Sequence, residues 1–351
     1  RVEADWLLII PFPTGNAGGD RGGRNAMGQH KPILVVGAGG AWGAGVVQTW
    51  LDRRLGPVRV LVRSIARTRR RHPEAAWLEQ VEWREGDPSD IEVLLEAVVG
   101  CGILVQAARA APILRTRLQT DLDARAYAAA CAEGARLVIW DDTVGFASEL
   151  TPVIEESTPA DPFDERGAAR NQWLSRVRDS AGVGAPVLVV RSGEPFGPGV
   201  RSGWTTRVFN AARAHQPIAV PGDPHAPFTA AYVPDLVRLT VDLLDRPAQP
   251  LNPVEVVHLA GPQFESRWAF ACQVAAACQQ PDRLVRSVPW WLMAALGLID
   301  PEAQVYYAQR RAIDRPVRLD DPRRRELLPD FQLTPVTEAI DRTLQAGEPI
   351  L

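Results

Sequence analysis

From residue 33 onward the apolar positions follow two rhythms. Ile33, Leu34, Val35 and Val36 form an unbroken apolar run, the pattern of a strand buried on both faces of a parallel sheet. Glycines follow at once, and then Val46, Val47, Trp50 and Leu51 recur at helical spacing. Further strands are predicted over residues 58–62, 81–84 (the weakest), 103–106, 137–140 and 187–190. Ser89-Asp90-Ile91-Glu92 has capping-box spacing and opens a predicted helix that carries Ile91, Leu94, Leu95 and Val98 on one face and ends at Gly100. Residues 118–132 read as an Ala-rich helix stopped by Gly134, and residues 168–180 as another. Strands alternating with helices predict an α/β fold, a doubly wound parallel sheet. After Gly199 the alternation becomes irregular and proline-rich, which predicts a smaller C-terminal substrate lobe. Residues 254–259 again read as a strand, so 227–262 is expected to return to the main sheet.

Composition narrows the classes. The chain has 351 residues, 46% hydrophobic and 23% charged, ordinary for a globular protein with a large core. A net charge of −3 argues against a nucleic-acid partner. Arg67, Arg69, Arg70 and Arg71 are read as a solvated helix face or turn. Cys101, Cys131, Cys272 and Cys278 form no CxxC pair and have no histidine at zinc-ligand spacing, so reduced thiols, a cytoplasmic setting and no metal are expected. No apolar run reaches the ~20 residues of a membrane span. The longest candidate, 289–299, reads as a packed helix, with Trp290 and Trp291 keeping an interfacial or partner-facing role in view. Residues 1–26 are Gly- and Pro-rich without sustained periodicity, and Met27 reads as a start.

Gly37-Ala38-Gly39-Gly40-Ala41-Trp42-Gly43 places glycines three apart between a strand and a helix. One glycine permits the tight turn, another admits a pyrophosphate, and the last lets helix and strand pack; the helix N-terminus offers unpaired N–H groups. NAD-preferring folds end the second strand in Asp or Glu, to bond the ribose 2′-hydroxyl. Here Arg63 and Ser64 stand there, with Arg67 one turn on, and a guanidinium attracts a 2′-phosphate. NADP is therefore expected over NAD.

With these residues in view, the chain from about Pro32 to Leu344 resembles the extended short-chain dehydrogenase/reductase group, also called the NAD-dependent epimerase/dehydratase family. Gly86-Asp87-Pro88-Ser89-Asp90 is similar to the turn whose Asp contacts adenine. Gln106-Ala107-Ala108 is similar to the small-residue turn lining the cofactor. Residues 191–199, from Arg191-Ser192-Gly193-Glu194 to Gly197-Pro198-Gly199, resemble the Arg-Pro-x-x-x-Tyr-Gly-Pro-Gly segment. Tyr232 to Val237 resembles a Val-x-Asp-Val-Ala helix start, and Val257-His258-Leu259-Ala260-Gly261 a late strand ending in glycine. The resemblance implies a Rossmann-type domain over 31–199, preceded by an extension over 1–30 expected to be disordered, with 200–351 mainly the substrate lobe. It also implies a nicotinamide beside Gly193 and Glu194, and a small-molecule substrate; a homodimer is left open.

The family's Tyr-x-x-x-Lys pair has no counterpart. Arg166 stands at the Tyr position and Arg170 at the Lys position. Arginine stays protonated, so Arg166 cannot serve as a general base, whereas Arg170 can still bond a ribose. The family's hydroxyl after strand five falls on Thr143 or Asp142. Asp141 and Asp142 admit two readings. Mutual repulsion raises one pKa and makes a general acid, or one aspartate caps a turn while the other pairs with Arg166 or Arg170. His215, His225 and His258 are read as surface or loop residues. Trp204, Phe228, Arg201 and Arg207 are candidate pocket residues, and Arg201, Arg207 and Arg213 candidate sites for a second diphosphate. Two functions from different classes follow. One is an NADP-dependent oxidoreductase or epimerase/dehydratase acting on a small hydroxylated or carbonyl substrate with altered acid/base residues; the other is a non-catalytic NADP-binding redox-sensing or scaffold module.

Overall fold

A computed structural model describes residues 31–110, 115–146, 152–162, 165–180, 184–246, 254–280, 284–315 and 318–347. The extension over 1–30 lies outside them. The strands are β1 Ile33–Val36, β2 Val58–Val62, β3 Glu82–Glu85, β4 Ile103–Gln106, β5 Arg136–Asp141, β6 Val153–Ile154, β7 Val187–Ser192, β8 Glu194–Phe196, β9 Ile218–Pro221, β10 Phe228–Tyr232, β11 Val254–Leu259, β12 Gln263–Phe264, β13 Val285–Val288 and β14 Arg318–Leu319. The helices are α1 Ala41–Asp52, α2 Ile65–Arg71, α3 Ile91–Val98, α4 Arg115–Glu133, α5 Glu165–Asp179, α6 Trp204–Arg213, α7 Val233–Asp245, α8 Arg267–Ala277, α9 Trp290–Leu296, α10 Pro301–Ala308, α11 Arg310–Ile313, α12 Pro322–Leu327 and α13 Val336–Gln345.

Seven strands form one parallel sheet in the order β11-β7-β5-β4-β1-β2-β3. Alternate residues of each strand face opposite sides, so each apolar run feeds two cores. Ile33, Val35, Val60, Val105 and Leu188 meet Val46, Val47 and Trp50 of α1 and Leu236 and Leu239 of α7. Leu34, Val36, Leu104, Leu137 and Ile139 meet Leu94 of α3, Ala126 and Ala130 of α4, and Trp173 and Leu174 of α5. Both layers are dry, which is why the strands read as continuous apolar stretches.

The lobe has its own core, in which Phe196, Trp204, Phe209, Phe228, Phe264 and Phe270 pack together. The Phe264 and Phe270 ring centroids lie 4.9 Å apart at 78°, the edge-to-face arrangement that ring quadrupoles favour. Segment 227–262 divides between the two bodies. β10 pairs with β8 and β12 in a separate three-stranded sheet, whereas α7 packs on α1 and β11 forms the edge of the main sheet beside β7. β10 is as apolar as a main-sheet strand, so its sequence pattern does not reveal which sheet it joins.

Two local expectations are corrected. Asp90, not Ser89, caps α3: its carboxylate accepts from the Glu92 amide at 3.0 Å, while Ser89 turns back and donates to Asp87. His258 is a fully buried residue of β11 rather than a surface or loop residue. All four cysteines are free. Among the described residues no helix is long and apolar enough to cross a membrane.

Candidate active site

Gly37 takes φ +89° as the chain leaves β1, and a Cβ there would stand 2.6 Å from the Ala108 amide nitrogen. Only glycine fits this conformation and this approach to the end of β4. At Gly43 an added Cβ would meet the Gly37 carbonyl oxygen at 2.7 Å, so the first turn of α1 lies directly on the loop. Gly40 caps α1 with no side-chain hydrogen bond, and no acidic residue stands in the first turn. The first helical bond runs from the Ala44 amide to the Gly40 carbonyl, which leaves the amides of Ala41, Trp42 and Gly43 without helical acceptors. Positive helix-end potential and free N–H groups thus point toward the end of the sheet, the requirement for cradling a diphosphate.

A cleft of about 470 Å³ opens from this loop. Gly39, Gly40, Ala41, Trp42, Gly43 and Ala107 line one end; Trp140, Asp142, Thr143, Arg166, Ser192 and Gly193 line the middle. Glu194, Phe228, Tyr306 and Gln309 carry the wall into the lobe. Its charged lining is mainly cationic, with Arg71, Arg109, Arg166, Arg201, Arg267 and Arg315 all reaching it. Glu194 is engaged by Arg267 at 3.2 Å and accepts from the Trp204 amide at 3.0 Å. Trp204 itself is buried behind the wall, while Arg207 pairs with Asp300 away from the cleft, and Arg213 bonds the carbonyls of Thr343 and Leu344.

The two adjacent aspartates separate, so the repelling carboxylate pair does not form. Asp142 faces the cleft and pairs with Arg166 of α5, with Thr143 beside it. Asp141 points behind the sheet end into a sealed network. Its Oδ1 accepts from Arg170 Nε at 2.8 Å and its Oδ2 from Arg191 Nη2 at 2.9 Å. Arg170 Nη1 also reaches Asp123 Oδ2 at 2.5 Å. Arg170 is therefore committed to two buried carboxylates rather than presented to a ribose, and it is absent from the lining of the main cleft. Burial would raise the Asp141 pKa, but the Arg170 and Arg191 guanidiniums outweigh it and hold the carboxyl well below the usual range.

His258 completes the network. Arg191 Nη1 lies 3.1 Å from His258 Nε2, and His258 Nδ1 lies 2.9 Å from the Asp320 carbonyl. Arginine only donates, so Nε2 accepts and Nδ1 carries the proton. Burial, then the neighbouring Arg191 charge, pushes the His258 pKa down to about 4.

Outside the cleft's lining, Arg63 and Arg67 are exposed, just past β2 and on α2. Ser64 caps α2, accepting from the Arg67 amide at 3.3 Å. Asp87 is exposed with Oδ1 turned to Ser89, and Pro88 is buried. The arginine run beyond Arg63 is only partly a solvated face. Arg69 pairs with Glu79, but Arg71 turns inward, its Nη1 3.6 Å from where a Cβ on Gly39 would stand. Arg71, Arg109, Trp140, Arg267 and Arg315 are wall residues that no local motif marks. Only the end-of-strand position of Trp140 and the helical offset from Arg63 through Arg67 to Arg71 hint at them.

The model of the NAD dependent epimerase/dehydratase family matches residues 33–260, and the chain belongs to that family. Among solved structures it is similar to a UDP-N-acetylglucosamine 4-epimerase from Bacillus cereus, with TM-score 0.67 and 14% identity over 90% of this chain and 95% of that one. It is also similar to an NAD-bound dTDP-glucose 4,6-dehydratase from Streptomyces venezuelae, with TM-score 0.71 and 16% identity over 90% and 96%. A UDP-glucuronic acid 4-epimerase from Bacillus cereus gives TM-score 0.69 and 13% identity over 90% and 98%. At such identities the likeness establishes the fold. Among curated protein sequences no relative matches.

Proposed function

We propose that this chain is an NADP(H)-dependent enzyme acting on a small hydroxylated or carbonyl compound, with acid/base groups different from those its family uses. The observation that carries this reading is the single cleft joining the glycine loop, Thr143, the Asp142–Arg166 pair and the lobe. The open face of Gly40, where an added Cβ would come no nearer than 3.7 Å to the protein, and the uncapped α1 fit a dinucleotide diphosphate. Bound there, NADP(H) supplies or accepts a hydride.

The protein's own groups have separable tasks. The Thr143 hydroxyl bonds the reacting oxygen. The Arg166 guanidinium stabilises negative charge on that oxygen, Asp142 holds Arg166 in place as its carboxylate partner, and water supplies or takes up the proton. Trp140, fixed by its Nε1 bond to Ser192 Oγ at 2.8 Å and overlain by Arg109 at 4.8 Å, forms a rigid wall beside them. Arg63 and Arg67, which follow β2 where it ends in Val62 rather than an acidic residue, favour the phosphorylated cofactor, while the nearby Glu85 carboxylate is taken up by the Ile65 amide at 2.7 Å. The named relatives act on nucleotide sugars, which makes these the first compounds to screen. Four cysteines outside any disulfide fit a cytoplasmic setting.

Asp142→Asn is expected to abolish turnover while NADPH still binds. Unchanged turnover would remove Asp142 from the mechanism. One observation favours a second reading: the Asp142–Arg166 pair occupies both groups nearest the reacting position, as in a non-catalytic NADP-binding redox-sensing or scaffold module. Tight NADPH binding with no consumption over a broad substrate panel would select it.

A further inference from the structure

Several arginines of this molecule have an acidic partner. Arg53 pairs with Asp242, Arg59 with Glu82, Arg69 with Glu79 and Arg323 with Glu255. Four are different. The charges of Arg67, Arg201 and Arg63 act on Arg71, that of Arg67 acts on Arg201, and none of the four forms an ion pair among the described residues. Arg63 and Arg67 come from the β2–α2 corner and Arg71 from the last turn of α2. Arg201 lies on the loop between β8 and α6. It lines the main cleft together with Arg71, and the two also share a second cavity of about 270 Å³ behind the same loop. The Arg201 Nε and Nη1 atoms are buried without a hydrogen-bond partner.

The Asp87 carboxyl offsets part of the charge of Arg63, but like charges held together still cost free energy, and buried guanidinium N–H groups without acceptors add to it. Burial, then Arg67, Arg201 and Arg63, lowers the Arg71 pKa; burial and then Arg67 lower that of Arg201. Such a cluster suits a small polyanion. A phosphomonoester brings about −1.5 to −2 charges at pH 7 and three acceptor oxygens, which matches converging guanidiniums.

We infer that Arg71 and Arg201 complete a cofactor 2′-phosphate site begun by Arg63 and Arg67, so that the lobe loop itself reads which dinucleotide is bound. This rests on the NADP reading above and extends it. The loop is tied to the glycine turn, since an added Cβ at Gly199 would lie 3.4 Å from Ala41 Cβ. Arg201 on the phosphate therefore pins the cleft's rim over the diphosphate, and the phosphorylated cofactor prepares the substrate side before substrate arrives.

The test measures dissociation constants of NADPH, NADH, 2′,5′-ADP and 5′-ADP for the wild type, Arg71→Ala, Arg201→Ala and Arg201→Lys. The wild type is expected to prefer the 2′-phosphorylated member of each pair. Either alanine variant should lower that preference roughly ten- to hundred-fold, the loss of a charged hydrogen bond, with NADH and 5′-ADP binding unchanged. Arg201→Lys should restore part of it. Equal weakening of both members of each pair would overturn the inference, placing the arginines on the diphosphate or in a structural role. So would an unchanged preference. A wild type that binds without preference would instead overturn the NADP reading itself.

Discussion

At the scale of single residues, Asp141 and Asp142 are neighbours in sequence and part in space. Asp142 reaches the cleft, while Asp141 closes a chain running from Asp123 through Arg170 and Arg191 to His258. Two carboxylates, two guanidiniums and a neutral imidazole leave this network without net charge, which is how so many polar groups tolerate burial. Arg191→Met should destabilise the protein by about 3–5 kcal/mol in chemical denaturation, because Asp141 loses one of its two cations. The network also sets the acid limit. His258 has a folded pKa of about 4 against 6.5 unfolded, so the unfolded chain binds the proton first. Its contribution is full above pH 6.5 and lost as pH falls toward 4, roughly 3 kcal/mol in all. Asp141, depressed below 3.8, adds a second loss at still lower pH, as its carboxylate takes up a proton. Denaturation midpoints taken across pH 4–7 should fall in the wild type and stay much flatter in His258→Asn. The Arg166 and Asp142 partnership was among the pairings legible from the sequence. The turning-away of Arg170 was not, because Asp123 lies 47 residues away along the chain and no local spacing links them.

Among the elements, β1, the glycine loop and α1 were legible because each glycine answers a local demand. Gly37→Ala adds a Cβ against the Ala108 backbone at positive φ and should cost on the order of 2 kcal/mol or more, with loss of nucleotide binding. Gly40→Ala meets nothing nearer than 3.7 Å, so its thermal midpoint should stay near that of the wild type while nucleotide affinity falls. Loss of stability at both positions would mean that the loop is built for its own packing rather than for a ligand. Where periodicity misled, competing contacts explain it. Asp90 won the cap of α3 because Ser89 was drawn to Asp87. β10 joined the lobe because β8, a short strand with no clear pattern of its own, offers it a parallel edge.

For the whole molecule, the decisive feature is that the sheet's end and the lobe meet around one cationic cleft. The lobe's chain is interleaved with the main sheet: α7 returns to pack on α1, where Trp42 Nε1 donates to Thr240 Oγ1 at 3.2 Å, and β11 closes the sheet edge. The lobe is thus anchored through the core rather than hung from a linker. The proposed occupant of this cleft is NADP(H). Titrating the protein with NADPH and with NADH, read by nucleotide fluorescence and energy transfer from the tryptophans, tests it most directly. Saturable binding that favours NADPH and loses that preference in Arg63→Glu is expected. Equal binding of both, or binding of neither, would contradict it.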